Sequence, residues 1–322
     1  MRDGLISRRG VVGLVAGAAL FGVSPSGRAV SRSGGRPHLV TIPVGRGPGG
    51  VAVHSGTGVV FVANAGEQTV SVVGGGTTLA TVSVGGVPSD VAIDEASGRL
   101  YVSSSASGTT SVLDGGRVTN VIASGVGSAA LALDSDTYRM YVASGTAGSV
   151  GVLDLFGGSL KASLPAPGRG FSAAAIHGRT GYFASLHTAS VEVLDLDGGT
   201  FTTGIPVGDG PSGLAVHHGT HTIYVANSGI HHLSVIDGRT RQQTRTILLR
   251  SEASSVAVHE PTNTVYTNGG PDGIVRIDGA RGEITGELSL GINPGQVAVD
   301  QRTGAVFVTD PLHDRLHVIT GF

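Results

Sequence analysis

The sequence predicts an all-β protein, a seven-bladed β-propeller of four-stranded antiparallel blades. Its first sign is an apolar triplet ending in His or Asp that recurs seven times. The central alanines, Ala52, Ala92, Ala132, Ala175, Ala215, Ala257 and Ala298, are separated by 40, 40, 43, 40, 42 and 41 residues. Its second sign is the pairing of each triplet with a short polar turn and then an aromatic strand, as in Val51-Ala-Val-His54 before Phe61-Val-Ala-Asn64. A period near forty residues with several short strands per unit is that of a propeller, whose blades cannot bury their faces singly. Composition agrees, with 54 glycines, 4% aromatic and 14% charged residues, as tight turns and small axial side chains require.

The second unit serves as the pattern for the others. Leu79 to Val84 reads as an outermost strand, Gly85 to Asp90 as a loop, Val91 to Ile93 as the innermost strand and Asp94 to Gly98 as a turn. Leu100 to Ser103 is then a second strand, Ser104 to Thr109 a loop, and Ser111 to Asp114 a third strand before the Gly115-Gly116 turn. The two ends of the repeat region complement each other. Leu39 to Val44 is an outermost-type strand with no blade of its own, and Leu316 to Thr320 is a third-type strand with nothing after it. Pairing them completes the seventh blade and removes the free edge between first and last blades.

These features resemble the YVTN-repeat β-propeller family, named for its second-strand tetrapeptide. The resemblance rests on Phe61-Val-Ala-Asn64, Tyr141-Val-Ala-Ser144, Tyr224-Val-Ala-Asn227 and Phe307-Val-Thr-Asp310. Gly151-Val-Leu-Asp154 and Ser234-Val-Ile-Asp237 match the usual third strand. It covers about residues 38 to 322 and implies seven blades, often an extracytoplasmic setting, and no single activity. The absence of tryptophan separates the chain from Trp-Asp repeat propellers.

Residues 1–29 read as a signal peptide of twin-arginine type, 30–37 as a linker and 38–322 as the propeller. Ser7-Arg8-Arg9 precedes an uncharged apolar run to Val23, and Gly27-Arg28-Ala29 supplies small residues before a cleavage after Ala29. Secretion is the expected localisation. Loss of that segment removes four arginines and one aspartate, leaving 17 basic against 22 acidic side chains and a net charge of −5. Such a surface disfavours nucleic acid and anionic membranes as partners, so a protein or small-molecule ligand and a monomeric state are expected. There is no cysteine, hence no disulfide, thiolate ligand or thiol nucleophile.

Histidine is the tempting catalytic residue. Yet His54, His177, His217 and His259 fall where Asp94, Asp134 and Asp300 fall in other units, which points to capping of the turn after the strand. His217, His218 and His221 are separated by a strand length from His231 and His232, so the two groups cannot share one ion, leaving only His217 with His221 as a surface pair. His187, His231 and His313 sit about two strands out, ~10 Å from the loops nearer the axis. Propeller pockets open on the face bearing the loops that enter the inner strands. Those loops offer Arg46, Asp90, Arg169, Asp209, Glu252, Asn293 and Gln296 as candidate ligand-binding residues. Asp209 and Glu252, on neighbouring blades, are the best paired carboxylates and suit a divalent cation, with Asn293 and Gln296 as oxygen donors. No catalytic set is assigned. The reading is an exported binding module, and the alternative is a lyase or lactonase-like enzyme using that cation.

Overall fold

The computed structural model describes residues 36–270 and 272–322, so the expected signal peptide and nearly all of the linker lie outside the described residues. Seven four-stranded antiparallel sheets form the ring. Blade one runs outward through Pro48–His54, Val59–Asn64, Thr69–Gly74 and Thr77–Ser83, and five more blades repeat that order. The one helical element among the described residues is a 3-10 turn, Glu260–Thr262. Inner strands begin earlier than their apolar triplets suggest: the second starts at Pro88, which makes Asp90 part of the strand and not of the loop before it.

Each of the seven triplet alanines lies directly opposite an aromatic residue of the second strand: Ala52 faces Phe61, Ala132 faces Tyr141, Ala215 faces Tyr224 and Ala298 faces Phe307. A methyl beside the axis leaves room for a ring one strand out, so the wedge-shaped blade fills with side chains of increasing size. Third and outermost strands slip register by a bulge at equivalent places in blades one to six, at Val72/Val73 and Val152/Leu153 for example. A bulge strengthens local twist and carries the outer edge round the ring.

The apolar side chains separate into seven clusters, and every one spans two adjacent blades. Tyr224, Val235 and Ile247 of blade five, for instance, pack against Val256, Val265 and Ile277 of blade six. No blade owns a core.

Closure obeys the expected scheme. His38–Pro43 pairs with Arg315–Thr320 to give blade seven its fourth strand, in register from His38 opposite Thr320 to Pro43 opposite Arg315. This one outer pair carries no bulge, since no hairpin joins its strands. Ile42, 2% exposed, enters the cluster shared with Val51, Val60 and Val73 of blade one. Side chains reinforce the seam: Thr41 Oγ1 lies 3.1 Å from His317 Nδ1, and His317 Nε2 lies 3.5 Å from the buried Asp310 Oδ2, which also meets His313 Nδ1 at 2.8 Å. Val44 N donates to Asp314 O, pinning the exit of the closing strand.

Removing the strand after Asp310 therefore opens the ring, and a single, lower melting transition is expected in place of a frayed tail. Calorimetry of that truncation decides between the two. Ile42→Ala, a large-to-small change in the seam, should cost about 2–4 kcal/mol in urea titration with an unchanged m-value.

Candidate functional site

Loop-face geometry starts from the Asn that ends the second strand. Asn64 Nδ2 donates to Thr69 Oγ1 (3.0 Å) and Ser71 Oγ (2.9 Å), and Ser71 Oγ accepts from Gly45 N (3.1 Å). Blade five repeats the clamp with Asn227, Ser234 and Gly208. The clamp holds the loop so close that a Cβ at Gly45 or Gly208 would run into the Asn side chain. A second glycine stands two residues on with positive φ, Gly47 at +61° and Gly210 at +64°, a conformation costly for other residues. Between the two glycines stand Arg46, Asp209 and, in Gly168-Arg-Gly170, Arg169. Three loops of the repeat thus each display one charged side chain between two glycines.

The seven predicted residues divide into two groups. Arg46, Arg169, Asp209, Glu252 and Asn293 are exposed on the loops. Arg46 Nε pairs with Glu67 at 3.2 Å, while Asp209 and Glu252 form no ion pair with any described residue. Asp90 and Gln296 instead line the throat of the central channel, a cavity of about 210 Å³ shared with Ser172, Ser212 and Ser254. All five side chains come from the first residues of inner strands or the positions just before them, which is why they converge at the loop end of the channel.

Asp90 occupies a repeat position filled by Gly50, Ala130, Ala173, Gly213, Ser255 and Gln296 elsewhere. Small residues belong there because the next inner strand is near: a Cβ at Gly50 would lie 3.1 Å from Asp90 Cα. The Asp90 carboxylate turns along the wall and accepts from Val91 N (2.9 Å) and, across the blade boundary, from Leu131 N (2.9 Å). Ser255 Oγ makes the same bridge from blade six to Val297 N at 3.0 Å. Burial pushes the Asp90 carboxyl up to about 6, against the pull of those two N–H donors. It is the one charged side chain among the residues lining this cavity. Each carboxylate oxygen keeps a lone pair for a ligand, and the serines and the Gln296 amide supply neutral donors and acceptors beside it. The arrangement can hold a cation or a donor-rich group.

This ring has a close counterpart among solved structures. Selenomethionine-substituted virginiamycin B lyase from Staphylococcus aureus is similar to it with a TM-score of 0.76, over 89% of this chain and 100% of that one, at 11% sequence identity. Likeness at that identity establishes the fold alone. No family model matches the chain, and no curated protein matches it in sequence.

The repeated His/Asp position behaves as a turn cap in most blades. His54 Nδ1 accepts from Thr57 N (3.2 Å) and His217 Nδ1 from Thr220 N (3.1 Å), as Asp94 Oδ1 accepts from Ala96 N and Asp300 Oδ1 from Arg302 N. His177 is the exception. Its turn is short, with the next strand starting at Thr180, and its Nδ1 is buried without a hydrogen-bond partner. Its ring stacks on His221 of the next blade at 3.9 Å and lies 5.4 Å from His218. Tyr182 Oη sits 2.7 Å from His221 Nε2, and Glu260 Oε1 2.8 Å from His218 Nδ1. The cluster lies on the face opposite the loops, and sequence reading missed it because its members come from three blades. The signal available was spacing: His177, His218 and Glu260 are each about one repeat apart.

Burial and the neighbouring imidazoles hold His177 and His221 below the ordinary 6.5. A native state that prefers neutral imidazole keeps its full contribution above about 6.5 and loses it as pH falls through the lowered native values. His221→Asn, the residue blade six carries at that position as Asn263, should therefore flatten the fall of melting temperature between pH 7 and pH 5. Equal slopes in variant and parent would dismiss the cluster as a source of acid sensitivity.

Proposed function

We propose that this chain is a binding propeller of the YVTN-repeat kind that takes a small, cation-bearing polar ligand into the throat of its channel from the loop face. The observation that carries this reading is Asp90, a carboxyl at about 6, placed where other blades have small or neutral residues, in a polar cavity of about 210 Å³. A half-buried charge in a narrow throat costs the fold stability that Ala or Ser would spare it. The volume suits a ligand of a few heavy atoms or the tip of a longer one, with Arg46, Arg169, Asp209, Glu252 and Asn293 around the mouth selecting what approaches. An exported monomer is part of the same reading, supported by the Ser7-Arg8-Arg9 pair and the apolar run after it.

The enzymatic alternative, a lyase or lactonase-like reaction with a divalent cation on Asp209 and Glu252, draws on the fold it shares with virginiamycin B lyase. The two readings separate experimentally. Calorimetric titration with a panel of small ammonium and guanidinium compounds, and with calcium and magnesium, should find an organic cation whose binding is lost in Asp90→Ser and retained in Asp209→Ala with Glu252→Ala. Protonation of Asp90 removes the charge it offers, so affinity should fall as pH drops below about 6, approaching roughly tenfold per pH unit. Divalent-cation binding abolished by the double variant and indifferent to Asp90→Ser would instead favour the enzyme.

A further inference from the structure

A second cavity lies at the outer rim, between blades three and four, and repeat symmetry shows what it lacks. Each blade carries a row of side chains facing the next blade, one from each strand. In blade three the row is Ala132, Tyr141, Val152 and Ala162; in blade five it is Ala215, Tyr224, Val235 and Arg245; in blade six it is Ala257, Tyr266, Arg276 and Gly286. The outer end of the row decides whether the gap to the next blade is covered. Arg245 extends over Gly282 of the neighbouring turn, and Asn120, its blade-two counterpart, over Gly158. Blade six ends in Gly286 and cannot cover its own gap. There the ring of Phe322 takes the space, against Gly286, with Arg276 Cζ 5.2 Å from its centroid and the Tyr266 ring 6.3 Å away.

Blade three ends in Ala162, as blade one ends in Ala80, and at the blade-three gap no side chain performs the service of Phe322. A groove of about 170 Å³ stays open between Ala162 and the Gly198-Gly199 turn of blade four, walled by Tyr141, Val152, Leu164 and Leu196. The Tyr141 hydroxyl makes no bond to blade four, whereas Tyr182 and Tyr224 spend theirs on His221 and on Gly279 O of their next blades. Two cations border the apolar walls: Arg139 and Lys161, the sole lysine of the chain. Neither has an ion-pair partner among the described residues. Asp197, which also lines the groove, is paired with Arg179 at 2.8 Å, and Asp154, opposite Arg139 in the strand register, accepts from Phe156 N and Gly157 N.

We infer that this groove is a binding site for a small aryl carboxylate. The aromatic ring lies over Ala162 as Phe322 lies over Gly286, and the carboxylate meets Arg139 and Lys161. An apolar slot sized for one ring gains from ring burial, and charge-assisted bonds to a carboxylate outweigh those to its neutral amide. The site is on a different cavity from the channel throat and stands or falls apart from it.

3-Phenylpropanoate and its amide, titrated by calorimetry and ligand-observed NMR, are suitable probes. The parent should bind the carboxylate more tightly than the amide. Ala162→Phe, which supplies a ring from within the chain, should weaken the carboxylate by about tenfold or more, and Ala162→Leu serves the same purpose if the first variant folds poorly. Arg139→Gln with Lys161→Gln should erase the preference for carboxylate over amide while the amide still binds. No detectable binding by the parent at millimolar probe overturns the site, as does binding that both Ala162 variants leave unchanged. A preference that survives loss of both cations overturns the assignment of an anion to it.

Discussion

Every apolar cluster among the described residues lies between two blades, and the ring depends on that one constraint. A blade offers two apolar faces and has no interior, so it depends on both neighbours for burial, and closure supplies the last of these interfaces. Closure is made by a strand from the start of the described region, and its weight is visible in what the seam contains. Ile42 enters the core shared with blade one, and a chain of polar contacts runs from Thr41 through His317 to the buried Asp310. Without cysteine, no covalent bond can substitute for that pairing.

Binding geometry arises from the same architecture. The second-strand Asn of the repeat turns back to hold the third-strand Ser, the Ser holds the loop glycine, and the loop then presents a single side chain between two glycines. The side chain at Arg46 or Asp209 takes no part in holding the loop, because the clamp uses a backbone N–H and the Asn and Ser side chains. Asp90 obeys a different logic. It stands within an inner strand where space is scarce, and its charge is tolerated by hydrogen bonds that also tie blade two to blade three. Asp90 is thus both a bridge between two blades and the one charge lining the throat.

Departures from the repeat are where this chain has its own chemistry. His177 leaves the capping role of its counterparts because its turn is too short to offer the N–H that His54 and His217 receive, and it stacks on the next blade instead. Ala162 leaves open a gap that Arg245 and Phe322 close elsewhere.

The seven-fold repeat, the four strands per blade and the closing strand could all be read from sequence. Those features are periodic, and period is a property of the chain alone. Tertiary structure decided which of the seven predicted residues reach the channel, because a strand start shifted from Val91 to Pro88 moves Asp90 from loop to wall. It also decided that His177, His218, His221 and Glu260 meet, and that Phe322 fills one groove while its counterpart stays open. These are contacts between blades, set by how each wedge leans on its neighbour, and a linear sequence carries them only as residues about one period apart.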